Sequence, residues 1–337
     1  MPRRAQVRFR IAFVGALALL LLLRGPALMS YLLSSVGLVS LARDLSGAAG
    51  ELFPQVALDA DTLLCQALSL DAGNRAAHRG LGWALAAQGK VAKAAAEWRA
   101  GGFTAQEFID AGEQARRAGR FQEAFEWYER AANVEPGWGD PWHCMGLLYW
   151  RTQDWKSALD AYEEAVELDT LTNVGRGSLY YRIGVIYQSK LEPRQTDAAL
   201  MAYGAAIETG DFGDNEEAAD CHYRRGQILS WMGGDPDEYI REYKRAIELD
   251  PRHVSAHILL GAAYYVRYHD VEMAEAEIRR AMELSPYNKW TYYHLGDIYR
   301  YEGQAEDAAV MYERALDIDP EFALAQKRLR AVHEGNK

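Results

Sequence analysis

His253 and His257, in HVSAH, have the spacing at which one helix face presents two imidazoles to a metal ion. A hydrolytic zinc site also needs a glutamate base between them and an outside ligand, and the motif supplies neither. GLGWALAAQG begins with two glycines, but no strand precedes it, so a phosphate loop fails on context. Asp211, Asp214, Asn215 and Glu216 are rich in oxygen, as calcium requires, yet lack the ligand spacing of a calcium loop and read as a solvated turn. No Ser–His–Asp set can be assembled without arbitrary choice. Cys65, Cys144 and Cys221 are few, odd in number and far apart, which excludes a disulfide framework or CxxC zinc site. Each sits in an apolar helical stretch, where a thiol is expected to be buried and inert.

Asp59-Ala60-Asp61 resembles the short acidic motif with which some sugar transferases hold a metal, but no nucleotide-binding strand–helix unit surrounds it. No catalytic residue, metal or cofactor is therefore expected. The remaining chemistry is recognition. The chain holds 20 Tyr and nine Trp, and Tyr181-Arg182 and Tyr223-Arg224 place an aromatic ring beside a guanidinium. That mixture suits peptide backbones, aromatic side chains or sugar rings.

The elements that must position these residues come from a repeat. A bulky residue is followed three later by an apolar one, at once by Gly, and three later by an aromatic or Leu. Trp142-Met145-Gly146-Tyr149, Tyr180-Ile183-Gly184-Tyr187, His257-Leu260-Gly261-Tyr264 and Tyr292-Leu295-Gly296-Tyr299 show it, with weaker copies around Gly82, Gly112 and Gly226. His257 thus occupies the bulky position, and Gly82 is a repeat glycine. Each copy continues with a small residue, a large one four later and Ala three later, as in Ala124-Tyr128-Ala131 and Ala308-Tyr312-Ala315, often with Pro five beyond. Spacings of three and four put the bulky residues on one helical face. Gly and Ala stand where helices approach closely, and Pro ends one helix and starts another.

The pattern strongly resembles the tetratricopeptide repeat, W-x2-L-G-x2-Y, then A-x3-F, then P. It covers residues 75–322 in seven copies, closest in Lys289–Phe322 and Gly139–Thr172. A degenerate unit precedes them through Ala60, Leu64 and Ala67. Phe322 to Val332 reads as a capping helix with Lys327, Arg328 and Arg330 facing water. Departures gather between about 188 and 237: an insertion in SKLEPRQTD, the acidic loop ETGDFGDNEE, and Tyr239 where a small residue is usual.

The resemblance implies an all-α, right-handed superhelical solenoid of antiparallel helix pairs that binds extended peptides in a concave groove lined by first helices. Repeat phase puts Arg79, Trp83, Glu113, His143, Tyr265 and Arg300 toward that groove, with a partner-binding set of Tyr181, Arg182, Tyr223, Arg224, Gln227, Tyr293, His294 and Asp297. The Lys/Asn set with which chaperone-binding relatives clamp a carboxyl terminus is not evident.

Ile11 to Leu23 is uninterruptedly apolar and follows MPRRAQVRFR, whose Arg3, Arg4, Arg8 and Arg10 are the only charges up to Leu23. Thirteen helical residues span about 20 Å of a ~30 Å hydrocarbon core. Continuing to about Leu33 completes a span, at a cost of ~2.5–3.5 kcal/mol for Arg24 that the Leu run offsets. The favoured reading is a retained single-pass anchor with a cytoplasmic amino terminus and extracytoplasmic repeats. Secretion after signal cleavage and a peripheral helix are the alternatives. The expected organisation is a basic tail (1–10), an anchor (11–33), a linker and degenerate repeat (34–74), seven repeats (75–322) and a capping helix with tail (323–337).

Without those four arginines the chain carries 33 basic against 48 acidic residues, a surface that repels phosphate backbones, so nucleic acid is excluded as a partner class. The expected function is a membrane-tethered, non-enzymatic scaffold for a protein or peptide. A binder of glycan or envelope polymer and a non-catalytic accessory subunit of an envelope transferase or hydrolase are the alternatives. Oligomeric state is not legible.

Overall fold

Residues 60–335, except 169 and 192, are described by a computed structural model; the expected tail, anchor and most of the linker lie outside them. The described residues form sixteen α-helices and no strand, with one isolated bridge between Trp138 and Thr170. Among them, no helix is long and apolar enough to cross a membrane. In chain order the helices are α1 (Ala60–Leu70), α2 (Arg75–Ala87), α3 (Val91–Ala100), α4 (Ala105–Arg117), α5 (Phe121–Val134), α6 (Asp140–Arg151), α7 (Trp155–Glu167) and α8 (Arg176–Ser189). They continue with α9 (Thr196–Thr209), α10 (Asn215–Trp231), α11 (Pro236–Leu249), α12 (Val254–Tyr268), α13 (Val271–Leu284), α14 (Lys289–Tyr301), α15 (Ala305–Ile318) and α16 (Ala323–Gly335). The chain divides into two units: residues up to Leu148 with Leu168–Thr170, and Tyr149–Glu167 with Leu171 onward.

In the first unit, Gly82 of α2 lies under Trp98 of α3, and Gly112 of α4 under Tyr128 of α5. A Cβ on Gly112 would stand 2.4 Å from the Tyr128 ring, so only glycine admits the ring there. Trp98 and Tyr128 are wholly buried as a result. The Tyr128 hydroxyl donates to Glu113 at 2.6 Å. Thr104 and Glu107 form a reciprocal cap at the start of α4, satisfying two otherwise orphaned amides. Cys144, expected to be buried, is half-buried, and burial pushes its thiol up to about 12. Cys65, expected to be buried, is instead exposed, because Leu64 and Ala67 rather than its own face of α1 turn inward.

In the second unit the same contact recurs: Gly184 under Tyr203, Gly226 under Tyr243 and Gly296 under Tyr312, while Gly261 faces Ile278. Two of these tyrosines reach a first-helix acceptor fifteen residues back, Tyr203 at Gln188 and Tyr312 at Asp297, both at 2.7 Å. Each satisfied hydroxyl lets a large ring be buried without an orphaned polar atom. His222 of α10 and His257 of α12 hydrogen-bond Glu242 and Glu277 of their partner helices, each at 2.7 Å. Cys221 is buried, as expected. In α16, Lys327 and Arg330 face water. Arg328, expected to do likewise, turns back onto Asp297 at 3.0 Å, drawn by a half-buried carboxylate.

Candidate functional site

The first helices of three successive pairs, α10, α12 and α14, enclose a cleft of about 400 Å³ in the second unit. α10 contributes Tyr223, Gln227 and Trp231, which recur every four residues and so share one face. α12 contributes Ser255, Ile258 and Leu259. α14 contributes Trp290 and His294, with its capping residue Asn288, whose side chain accepts from the Trp290 amide at 3.0 Å. Trp231 and Trp290 are 61% and 42% exposed, so two indoles stand at the cleft open to water. Trp290 is braced edge-on by Phe322 at 4.8 Å between ring centroids. Burial lowers His294 to about 4, leaving a neutral imidazole at pH 7. No lining residue carries a charge at that pH.

Beside the cleft runs a polar network. The Gln227 amide donates to the Tyr223 hydroxyl at 2.9 Å and accepts from Gln188 at 3.1 Å. The Gln188 oxygen accepts from Tyr203 and, at 3.3 Å, from Arg224. Arg224 pairs with Asp220, which also accepts from Tyr181 at 2.6 Å and lies 3.5 Å from His253. Burial alone would raise the Asp220 carboxyl, but hydrogen bonds from His253, Arg224 and Tyr181 outweigh it and bring it down to about 2. Burial raises the Tyr181 and Tyr223 hydroxyls, so both stay protonated.

Of the eight residues of the partner-binding set, Tyr223, Gln227 and His294 line the cleft. Tyr181 and Arg224 belong to the network behind it. Arg182 stands apart, 3.6 Å from Glu217. Tyr293 is 7% exposed and packs on Phe322 and Tyr312. Asp297 holds Tyr312 and Arg328. Among the wider groove positions, Arg79 donates to the Gly101 carbonyl, Glu113 binds Arg116 and Tyr128, Tyr265 donates to Glu302, and Arg300 lies over the Tyr301 ring. Sequence phase missed Trp231, Trp290, Ser255, Asn288, Gln188 and Asp220. For Asp220, the spacing of four to Arg224 was the available signal.

The other motifs resolve into structure. His253 precedes α12 and accepts from the Ala256 amide at 3.1 Å, so it does not share a helix face with His257. Asp214 caps α10 through the Glu217 amide at 2.8 Å. Asp61 accepts from Gln88. Among the described residues no group of three or more His, Cys, Asp or Glu is placed to hold a metal ion.

Comparison with known proteins matches residues 139–170 and 291–322 to tetratricopeptide repeat profiles. Both stretches are tetratricopeptide repeats. Those two stretches fall within the copies whose residues follow the repeat pattern most closely. The human protein O-mannosyl-transferase TMTC1 is 25% identical over 224 residues, 66% of this chain, and the match spans 24% of that protein's length. A crystal structure of YrrB, described as a tetratricopeptide protein with an unusual peptide-binding site, is 22% identical, covers 59% of this chain and 96% of YrrB, and gives a TM-score of 0.49. The Cut9–Hcn1 hetero-tetramer of the APC/C is 15% identical, covers 82% of this chain and 52% of the matched one, with a TM-score of 0.48. Likeness at these levels carries no ligand over to the helix pairs of this chain.

Proposed function

We propose that the tetratricopeptide array is a non-catalytic binding scaffold whose α10–α12–α14 cleft receives an uncharged, bulky apolar or aromatic side chain of a peptide or protein partner. The observation that supports it most is the meeting of Tyr223, Gln227 and His294 with two part-exposed indoles in one uncharged cleft. Aromatic walls supply contact area with little rotamer entropy to lose, and Gln227, Ser255 and Asn288 supply the few polar groups that orient a ligand. Arg224 is neutralised by Asp220, so an acidic chain end finds no unpaired cation there.

Membrane tethering belongs to the same proposal. It rests on the apolar run Ile11–Leu23 behind four arginines, which favours repeats on the far side of the membrane from the amino terminus. A second reading, a glycan ligand, is favoured by the same exposed indoles, whose flat faces suit sugar rings.

The deciding experiment is calorimetric titration of the full chain in mild detergent with hits from a peptide array and a glycan array. Peptide hits carrying Trp, Phe or Leu are expected to bind, and Trp231→Ala with Trp290→Ala to weaken them by roughly tenfold or more. Undiminished affinity in that double variant would sink the cleft assignment. Hits from the glycan array alone would replace the first reading by the second.

A further inference from the structure

The second helices of the repeat pairs differ sharply in what they show to water. The two residues after the side chain that covers the first-helix glycine are Arg99-Ala100 in α3, Glu129-Arg130 in α5, Glu163-Glu164 in α7, Lys244-Arg245 in α11, Arg279-Arg280 in α13 and Glu313-Arg314 in α15. In α9 they are Gly204-Ala205. Met201, on the same side of α9, is 76% exposed. Between Asp197 and Glu208, α9 is apolar on every side, the composition of a helix covered all round. Gly204 costs ~1 kcal/mol relative to Ala within a helix. A Cβ there would meet nothing within 4 Å among the described residues, so no contact among them calls for glycine.

Beside this bare face is a groove of about 350 Å³ between α7, α8 and α9, floored by Tyr180, Ile183 and Ala202 and rimmed by Glu163 and Glu167. Glu163 is half-buried and spends one oxygen on the Tyr187 hydroxyl at 2.7 Å. Glu167 is exposed. Across α7 and α9, Lys156 stands against Asp160, Glu163, Glu164, Glu167, Asp197 and Glu208.

We propose that this face docks a basic amphipathic helix of a partner protein, at a surface distinct from the α10–α12–α14 cleft. Gly204 and Ala205 let the incoming backbone approach closely. Its Lys or Arg stems lie along Tyr180 and Ile183, and their charged ends meet Glu163 and Glu167. A second copy of this chain suits the face poorly. Arg130, Arg245, Arg279, Arg280 and Arg314 of its other second helices are already paired with Glu126, Glu248, Glu275, Glu283 and Asp317, and Lys244 lies over the Tyr264 ring.

The test is fluorescence anisotropy of the full chain in mild detergent with a labelled amphipathic helical peptide of about 18 residues, five turns, built from Leu, Ala and Lys. Two further probes replace Lys by Glu or scramble the order to erase the apolar face. The Lys peptide is expected to bind, and each control to bind at least roughly tenfold more weakly. Ala205→Arg places the residue found in α5, α11, α13 and α15, so its thermal midpoint is expected to hold while Lys-peptide affinity falls roughly tenfold or more. Glu163→Gln with Glu167→Gln should remove most of the salt dependence, and Trp231→Ala, which alters the separate cleft, should leave the Lys-peptide affinity as it was. Failure of the Lys peptide to bind would overturn the proposal. So would equal binding by the scrambled peptide or by Ala205→Arg, or a dimer in sedimentation that Ala205→Arg dissolves.

Discussion

The pairs α8–α9 and α14–α15 are built around the same contact and put to different use. In each, a second-helix tyrosine covers a first-helix glycine and donates to an acceptor fifteen residues back. Tyr181-Arg182 and Tyr293-His294 occupy equivalent places before those glycines. Yet Tyr181 donates to Asp220 of the next first helix, whereas Tyr293 is buried on Phe322. Arg182 stands near Glu217, whereas His294 lines the cleft. Outside, α9 is bare where α15 carries Glu313 and Arg314. The ring-on-glycine contact constrains the inside of a pair and leaves both faces free, so specificity resides in departures from the repeat.

The strongest way to break this comparison is to remove the shared ring. Tyr203→Ala and Tyr312→Ala should each destabilise their pair by about 3–5 kcal/mol. Hydrogen exchange of the flanking helices is the suitable measure, because repeat arrays open locally. Losses differing by more than ~2 kcal/mol would show that the two interiors are not equivalent.

Acid separates the pairs next. His294 is held near 4, below the ordinary imidazole value, so the unfolded chain takes up the proton first. Its contribution is complete above about pH 6.5 and lost as pH falls toward 4, by roughly 3 kcal/mol. Asp220, which ties α8 to α10, titrates near 2, so its contribution holds down to about pH 4 and is lost toward 2. α14 should therefore loosen first on acidification, and His294→Gln should abolish the higher step. Loss of α8 and α14 protection over one common range would contradict the assignment.

The smallest difference lies in the turns. Gly303, between α14 and α15, has φ +76° and its Cβ would meet only open space. Gly303→Ala should therefore cost about 1 kcal/mol by backbone strain alone. Among the described residues, the α8–α9 connection holds no left-handed residue. Alanine scanning there, followed by urea unfolding, should show no comparable cost.

Helix pairing was legible because the residues that create it are chemically extreme. Glycine, a large ring and alanine at fixed spacing leave few arrangements open. The cleft was half legible. Phase found Tyr223, Gln227 and His294, but gave Tyr293 and Asp297 the same weight, since it cannot show that Phe322 and Arg328 of the carboxyl-terminal segment cover them. Trp231 and Trp290 escaped because they lie outside the phase window, near the end of α10 and the start of α14. Left-handed Gln153 and His269, at φ 61° and 53°, fill turn places held elsewhere by Gly89, Gly119, Gly233 and Gly303. A search keyed to glycine passes over them.

The two indoles at the cleft give the protein a built-in optical reporter. Trp98 is sealed from water, whereas Trp231 and Trp290 are not. An occupant wedged between them would strip solvent from both, moving ultraviolet emission to shorter wavelength with no dye attached. Chemical quenchers such as iodide would then lose access to the pair together.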